Sequence, residues 1–92
     1  MNREELAQLL VRALGYDKLA NYSDLFNLQV KDATEVKLKG QVAIILALGI
    51  LTTNEGNFTP AQDVSRAQAA TAFYRYLQKR STLQDNQIDM HK

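Results

Sequence analysis

One short helical pattern occurs twice in the chain, and this repeat limits the possible folds more than any other feature. Residues 2–14 align with residues 65–77 after a shift of 63 positions. Four aligned pairs are identical: Arg3 with Arg66, Ala7 with Ala70, Arg12 with Arg75 and Leu14 with Leu77. A repeat of this kind indicates two copies of one structural unit. We therefore expect two helices of one type, separated by the middle of the chain.

Both copies begin with the same helix-start signal. Asn2 and Ser65 are residue types that accept a hydrogen bond from an unpaired backbone N–H at the start of a helix. Three residues later stand Glu5 and Gln68, whose side chains can bond back to the backbone of the capping residue. This reciprocal arrangement, a capping box, predicts that the two helices begin at residues 3 and 66.

Apolar residues recur at helical spacing in three segments. The first, residues 3–14, stops before Gly15, and the last, residues 66–79, carries the same stripe. The third, residues 35–48, is apolar almost all round and stops at Gly49, so we expect it to be the most buried element. The first and last helices are expected to pack together through four side chains: Leu6, Leu10, Phe73 and Leu77.

Gly40 lies in the first half of the middle predicted helix, where glycine costs about 1 kcal/mol relative to alanine. Either this helix begins late, or another backbone approaches it at this position. A short helical turn is also expected at residues 17–20. The prediction is an all-α fold, a small helical bundle with long connecting loops over residues 1–80, followed by a flexible tail at residues 81–92.

Composition argues against most catalytic and ligand classes. The 92 residues make one small domain, and a net charge of +1 is unlike that of a dedicated nucleic-acid-binding protein. With no cysteine and one histidine, His91, the chain lacks the usual metal ligands and nucleophiles, and its carboxylates are too scattered for a catalytic pair. No apolar run approaches the ~20 residues that span a bilayer. We expect no enzyme activity, cofactor, metal, nucleic-acid binding or membrane insertion.

An ordered set of short motifs runs through the second part of the chain. They are Tyr22-Ser23-Asp24, a helix ending in Gly49-Ile50, the loop Gly56-Asn57-Phe58-Thr59-Pro60 and, four residues later, Ser65-Arg66-Ala67-Gln68. In this order they resemble the bacterial surface-layer homology (SLH) domain, with one complete motif over about residues 22–77. Residues 2–16 resemble the terminal helix of a preceding motif. We therefore expect the chain to be a fragment of a larger tandem-motif region.

The SLH resemblance implies a function. Members of this family anchor proteins noncovalently to the cell envelope by binding secondary cell-wall polymer, often with pyruvylated sugar, so we expect an extracellular protein at the bacterial cell surface or wall. The arginine of the last motif, Arg66 here, would meet the acidic sugar. A guanidinium beside unpaired backbone N–H groups also suits a carboxylate on chemical grounds. The candidate ligand-binding residues are Arg66, Lys39, Asn54, Gln68 and Arg3.

Two departures from the family pattern leave a second interpretation open. Where the family often has Trp-Ala-Lys, this chain has Lys37-Leu38-Lys39, and it contains no Trp. The loop at residues 51–56 is one residue shorter than the family loop and lacks its first glycine and its aromatic residue. Both departures fall where the family builds its sugar pocket. The alternative is a degenerate SLH-fold module that serves protein–protein assembly without binding polymer, in which Arg66 only pairs with an acidic neighbour such as Asp63.

The incomplete first motif also suggests self-association. It would leave an apolar face of Leu6, Leu9 and Leu14 that the missing part of the motif would normally cover. Exposed apolar patches of this kind favour a partner. We therefore predict a homodimer or a homotrimer.

Overall fold

The computed structural model describes residues 1–22 and 28–90, with residues 84–90 described by their backbone alone. Within these residues the order of elements is α1 (Arg3–Leu14), α2 (Asp17–Ala20), a 3₁₀ turn (Ala33–Glu35), α3 (Lys39–Ala47) and α4 (Arg66–Met90). The predicted all-α fold is confirmed. Ser23 and Asp24, which belong to the first motif of the SLH resemblance, lie outside the described residues.

Both predicted capping boxes form. At the start of α1, Asn2 Oδ1 accepts a hydrogen bond from Glu5 N at 2.8 Å, and Asn2 N donates to Glu5 Oε1 at 3.0 Å. At the start of α4, Ser65 Oγ accepts from Gln68 N at 3.1 Å, and Ser65 N donates to Gln68 Oε1 at 2.9 Å. α1 ends at Gly15, whose φ of +84° is the left-handed conformation that glycine adopts easily. The two copies of the repeat therefore begin as helices in the same way.

The predicted start of the middle helix at residue 35 is wrong, because α3 begins at Lys39. The preceding residues form the 3₁₀ turn, and Val36 then takes an extended conformation. Gly40 is also in close contact with α2, since a Cβ placed on it would lie 2.0 Å from the carbonyl oxygen of Ala20. Both explanations considered for this glycine are therefore correct: the helix begins late, and a backbone approaches it.

The core lies between α1, α3 and the loop that follows α3. The largest fully buried side chains are Phe58, Leu6, Leu10, Ile45, Ile50, Val11, Val36 and Val42. α1 packs mainly on α3 and only lightly on α4. The stripe of α1 is thus covered by α3, which leaves only the edge of α1 for α4.

The predicted packing of α4 through Phe73 and Leu77 is wrong. These two side chains are 43% and 55% exposed, and α4 instead buries Ala72 and Tyr76, on the neighbouring stripe of the helix. The rings of Phe73 and Tyr76 are nearly perpendicular, with their centroids 6.3 Å apart. The face of α4 that corresponds to the buried face of α1 is therefore largely exposed.

The three leucines predicted to form an exposed apolar face for self-association do not form one. Leu6 is fully buried, Leu14 is half-buried, and Leu9 alone of the three is exposed. In α4, three large apolar side chains are exposed: Phe73, Tyr74 and Leu77.

α4 is longer than predicted. The sequence pattern placed its end near Arg80, whereas the helix continues to Met90, for 25 residues in all. Residues 81–90 contain no glycine or proline that would end a helix. That residues 81–92 act as a flexible tail stays a prediction. Among the helices of the described residues, none has the length and apolarity needed to cross a membrane.

Candidate functional site

The loop after α3 turns sharply before it reaches α4. Asn54 and Asn57 pair through their backbones, with N–H to carbonyl distances of 2.8 and 2.9 Å, and enclose a tight turn. Four residues between α3 and α4 have positive φ: Gly49 at 73°, Glu55 at 53°, Gly56 at 85° and Thr59 at 54°. For the two residues other than glycine this conformation is unfavourable unless the surroundings impose it. The loop therefore needs contacts from outside to hold its shape.

Arg3, at the start of α1, supplies one set of these contacts. Its Nε donates to the carbonyl oxygen of Phe58 at 2.7 Å, and its Nη2 donates to the carbonyl oxygen of Thr52. The guanidinium carbon lies 4.8 Å from the centre of the Phe58 ring, within range of a cation–π interaction. The backbone N–H of Arg3 also donates to the carbonyl of Gln62 at 3.0 Å. One arginine thus joins both ends of the loop to α1.

Asp32 supplies a second set of contacts to the loop. Its two carboxylate oxygens accept hydrogen bonds from the backbone N–H groups of Phe58, at 2.9 Å, and Thr59, at 2.8 Å. Partial burial by itself would raise the pKa of Asp32, but these backbone donors and the charge of Arg3 outweigh it and hold the pKa below its ordinary value. Burial in turn lowers the pKa of Arg3, and the attraction of Asp32 partly offsets that effect.

Glu4, the next residue of α1, caps α3 from another element. Its Oε2 accepts hydrogen bonds from Lys37 N at 2.6 Å and Leu38 N at 3.1 Å. α3 has no capping side chain of its own at its N-cap, Leu38. A carboxylate at this end of a helix is also favourable to the helix dipole. The first turn of α1 therefore fixes both the start of α3 and the loop that follows it.

A groove of about 270 Å³ opens between the start of α1, the loop and one side of α4. The residues that line it are Arg3, Ile50, Leu51, Thr52, Ala67, Gln68, Thr71, Ala72 and Arg75. Two of these residues are arginines, and none of the described lining residues is acidic. Such a groove favours an anionic or polar ligand over a cationic ligand.

A larger hollow of about 470 Å³ lies beside α3. Its described lining is mostly apolar and includes no charged residue: Leu28, Gln29, Val30, Ala43, Leu46, Ala47, Gly49, Leu51, Thr52 and Thr53. Its described lining has no positive charge to attract an acidic group. The groove with the two arginines is therefore the candidate functional site.

The structure brings together two of the five candidate ligand-binding residues. Arg3 and Gln68 line the groove from α1 and α4, respectively. Arg66, in the first turn of α4, Lys39, in the first turn of α3, and Asn54, in the loop, are exposed and do not line it. A role in ligand binding for these three stays a prediction.

Arg75 is the groove residue that sequence reasoning missed. A signal was present in the spacing, because Gln68, Thr71 and Arg75 lie at i, i+3 and i+7 and therefore on one side of the helix. Asp32 and Glu4 carried no such signal, since each acts on a segment distant in sequence. Within the described residues, no group of His, Cys, Asp and Glu side chains could hold a metal ion.

Comparison with known families supports the resemblance seen in the sequence. Residues 31–70 match the profile of the S-layer homology domain. The matched segment begins next to Asp32, includes α3 and the loop, and ends in the first turns of α4. Comparisons with curated proteins and with solved structures gave no match. The S-layer homology family is generally one of cell-wall anchoring modules, associated with the bacterial cell surface. The match is therefore consistent with an S-layer homology domain at residues 31–70 of this chain.

Proposed function

We propose that the chain is a non-catalytic anchoring module that binds secondary cell-wall polymer at the groove between α1, the loop and α4. The polymer is acidic, for example through pyruvylated sugar, and the site of action is the outside of a bacterial cell. The observation that carries this proposal is a groove with two arginines and no acidic residue among its described lining residues, at the edge of an S-layer homology domain.

The size and chemistry of the groove support a carbohydrate. Small-molecule sites are usually at least about 300 Å³, so a groove of about 270 Å³ suits one sugar residue of a chain and not a large cofactor. Besides the arginines, the lining includes Gln68, Thr71 and Thr52, whose amide and hydroxyl groups can pair with sugar hydroxyls. The guanidinium groups can form charge-assisted hydrogen bonds to a carboxylate. The apolar part of the lining offers contact for the ring carbons of a sugar.

The groove is open to a polymer but held by a rigid frame. Arg3, Asp32 and Glu4 all form hydrogen bonds with backbone groups, and these bonds fix the loop and α3 relative to α1. A site fixed before the ligand arrives loses less conformational entropy on binding. This frame supports anchoring, which needs stable attachment and no chemical step.

The experiment is a pulldown of the protein with purified secondary cell-wall polymer immobilised on beads. We expect the wild-type protein to be retained at low salt and released as salt rises, because the contacts are ionic. A neutral glucan on the same beads is the control, and it should retain little protein. If the beads with wall polymer do not retain the wild-type protein at low salt, the proposal is refuted.

One observation favours the alternative, a domain that keeps the S-layer homology fold for protein–protein assembly. α4 exposes Phe73, Tyr74 and Leu77 on one side, and exposed apolar patches of this kind mark interaction surfaces. If the protein does not bind polymer but associates through this face of α4, its function is protein–protein assembly.

A further inference from the structure

The two arginines of the groove, Arg3 and Arg75, differ in their hydrogen bonds. The side chain of Arg3 already contacts other residues of the protein. Its Nε and Nη2 donate to the carbonyls of Phe58 and Thr52, and its guanidinium lies over the Phe58 ring. Of the arginines in the described part of the chain, Arg3 is the one whose side chain donates hydrogen bonds to other residues. Arg75 lines the same groove, is half-buried, and makes no such bond to any residue that the structure describes. Arg75 is thus the arginine whose donors are available to a ligand in the groove.

Helix geometry separates Arg75 from Arg66, the arginine that the family motif singles out. The two residues are nine positions apart in α4, which is 2.5 turns at 3.6 residues per turn. They therefore project from opposite sides of the helix. The side of Arg75 also carries Gln68 and Thr71 and faces the groove, whereas Arg66 is exposed outside it. A ligand bound beside Arg75 in this groove therefore lies on the side of α4 away from Arg66.

We infer that Arg75 is the residue that holds the carboxylate of the bound sugar, with Arg3 keeping the loop in place beside it. This inference rests on the proposed function and assigns its acidic contact to a residue outside the family motif. The planar guanidinium of Arg75 can donate two parallel hydrogen bonds to one carboxylate. Thr71 and Gln68, about one and two turns before it on the same side of α4, are placed to bind neighbouring hydroxyl groups.

The absence of acidic residues from the described lining explains why this carboxylate would be selected. An arginine paired with a neighbouring Asp or Glu would have to give up that pair before it could bind an anion. The described lining residues offer Arg75 no such acidic partner, and the second positive charge, on Arg3, adds to the attraction. The groove should therefore distinguish an acidic sugar from its neutral counterpart mainly through Arg75.

The test is an NMR titration, which detects weak binding, with three small probes. They are the pyruvate ketal of a methyl hexoside, a methyl glucuronoside, and the same methyl hexoside without the ketal. The variants are Arg75→Gln and Arg75→Lys. The matched controls are Arg66→Gln, on the opposite side of α4, and Arg12→Gln, the exposed counterpart of Arg75 in the first copy of the repeat. Thermal melting of every variant checks that it is folded.

We expect the wild-type protein to prefer at least one acidic probe over the neutral hexoside. Arg75→Gln should weaken binding of the acidic probe about 10- to 100-fold, the range for loss of a charge-assisted contact. Arg75→Lys should recover part of this loss, because it keeps the charge but not the planar fork. Both control variants should bind within about twofold of the wild type, as expected for residues outside the groove.

Three outcomes would overturn the inference. Wild-type affinity in a folded Arg75→Gln variant would show that Arg75 does not hold the acidic group, and so would an equal loss in Arg66→Gln. Binding of purified wall polymer without binding of either acidic probe would also overturn it, while leaving the proposed function in place. A wild-type protein that binds neither polymer nor probes would refute the proposed function, and this inference with it.

Discussion

Replacing Arg3 should destabilise the fold far more than replacing Arg66, although the two residues occupy the same position in the repeat. Arg3 holds the loop after α3 through two carbonyl oxygens and the Phe58 ring, whereas Arg66 is exposed. A hydrogen bond from a charged donor contributes about 1.5–3 kcal/mol. The bond to Phe58 is partly buried and should lie near the lower end of that range, while the exposed bond to Thr52 should contribute about 0.5 kcal/mol.

The contact with the Phe58 ring contributes about 0.5–1 kcal/mol more at a half-exposed site. Together these contacts predict a loss of about 3 kcal/mol in the free energy of unfolding for Arg3→Ala. For a domain of this size the melting temperature should fall by about 12–24 °C. Arg3→Lys should recover less than half of the loss, because an ammonium group cannot contact both carbonyls in one plane.

Urea denaturation of the three variants, monitored by circular dichroism at 222 nm or an equivalent helical signal, measures the loss directly. Arg66→Ala is the control and should lie within about 0.5 kcal/mol of the wild type. Equal and small losses in Arg3→Ala and Arg66→Ala would refute the assignment of Arg3 as the residue that fixes the loop.

Three further predictions concern other parts of the fold. The pKa of Asp32 is lowered in the folded state, so the stability it contributes is present above its ordinary pKa of about 4 and is lost as the pH falls through the lowered value. Asp32→Asn should therefore be less stable at pH 7 and should show a smaller loss of stability on acidification, and urea melts between pH 7 and pH 3 that run parallel to the wild type would contradict this. Gly40→Ala should lower the melting temperature despite the better helix propensity of alanine, because the new Cβ would meet the carbonyl of Ala20 at 2.0 Å; a raised melting temperature would show that the approach is not close. We expect the protein to self-associate through the exposed face of α4, so sedimentation of a Phe73→Ser, Leu77→Ser double variant should show a shift toward monomer. A wild type that is monomeric at high concentration would contradict this prediction.

The sequence was sufficient for the local structure of both repeated helices. Asn2 with Glu5 and Ser65 with Gln68 are pairs whose geometry depends only on residues three positions apart, and both capping boxes form as predicted. The end of α1 at Gly15 follows from a preference of that one residue. Local signals of this kind need no knowledge of the rest of the molecule, because the interacting groups are neighbours in the chain.

The tertiary structure decided which side of each repeated helix is buried. Leu10 in α1 is fully buried, whereas its counterpart in α4, Phe73, is 43% exposed. The two helices have the same stripe, but α3 covers it in α1 only. A periodic pattern predicts that an apolar face exists, and it does not say which neighbour covers that face. For the same reason the packing of α4 through Ala72 and Tyr76 could not be predicted.

In the candidate site, too, some features follow from local sequence and others only from tertiary packing. The sequence identified Arg3 and Gln68 as candidates through a motif, but it gave Arg3 and Arg66 equivalent positions. Their different environments arise because the loop contacted by Arg3 lies about fifty residues further along the chain. The charges of Arg3 and Arg75 share a groove only because α1, the loop and α4 meet there. Contacts between distant segments depend on how the helices pack, and a pattern confined to neighbouring residues cannot encode that packing.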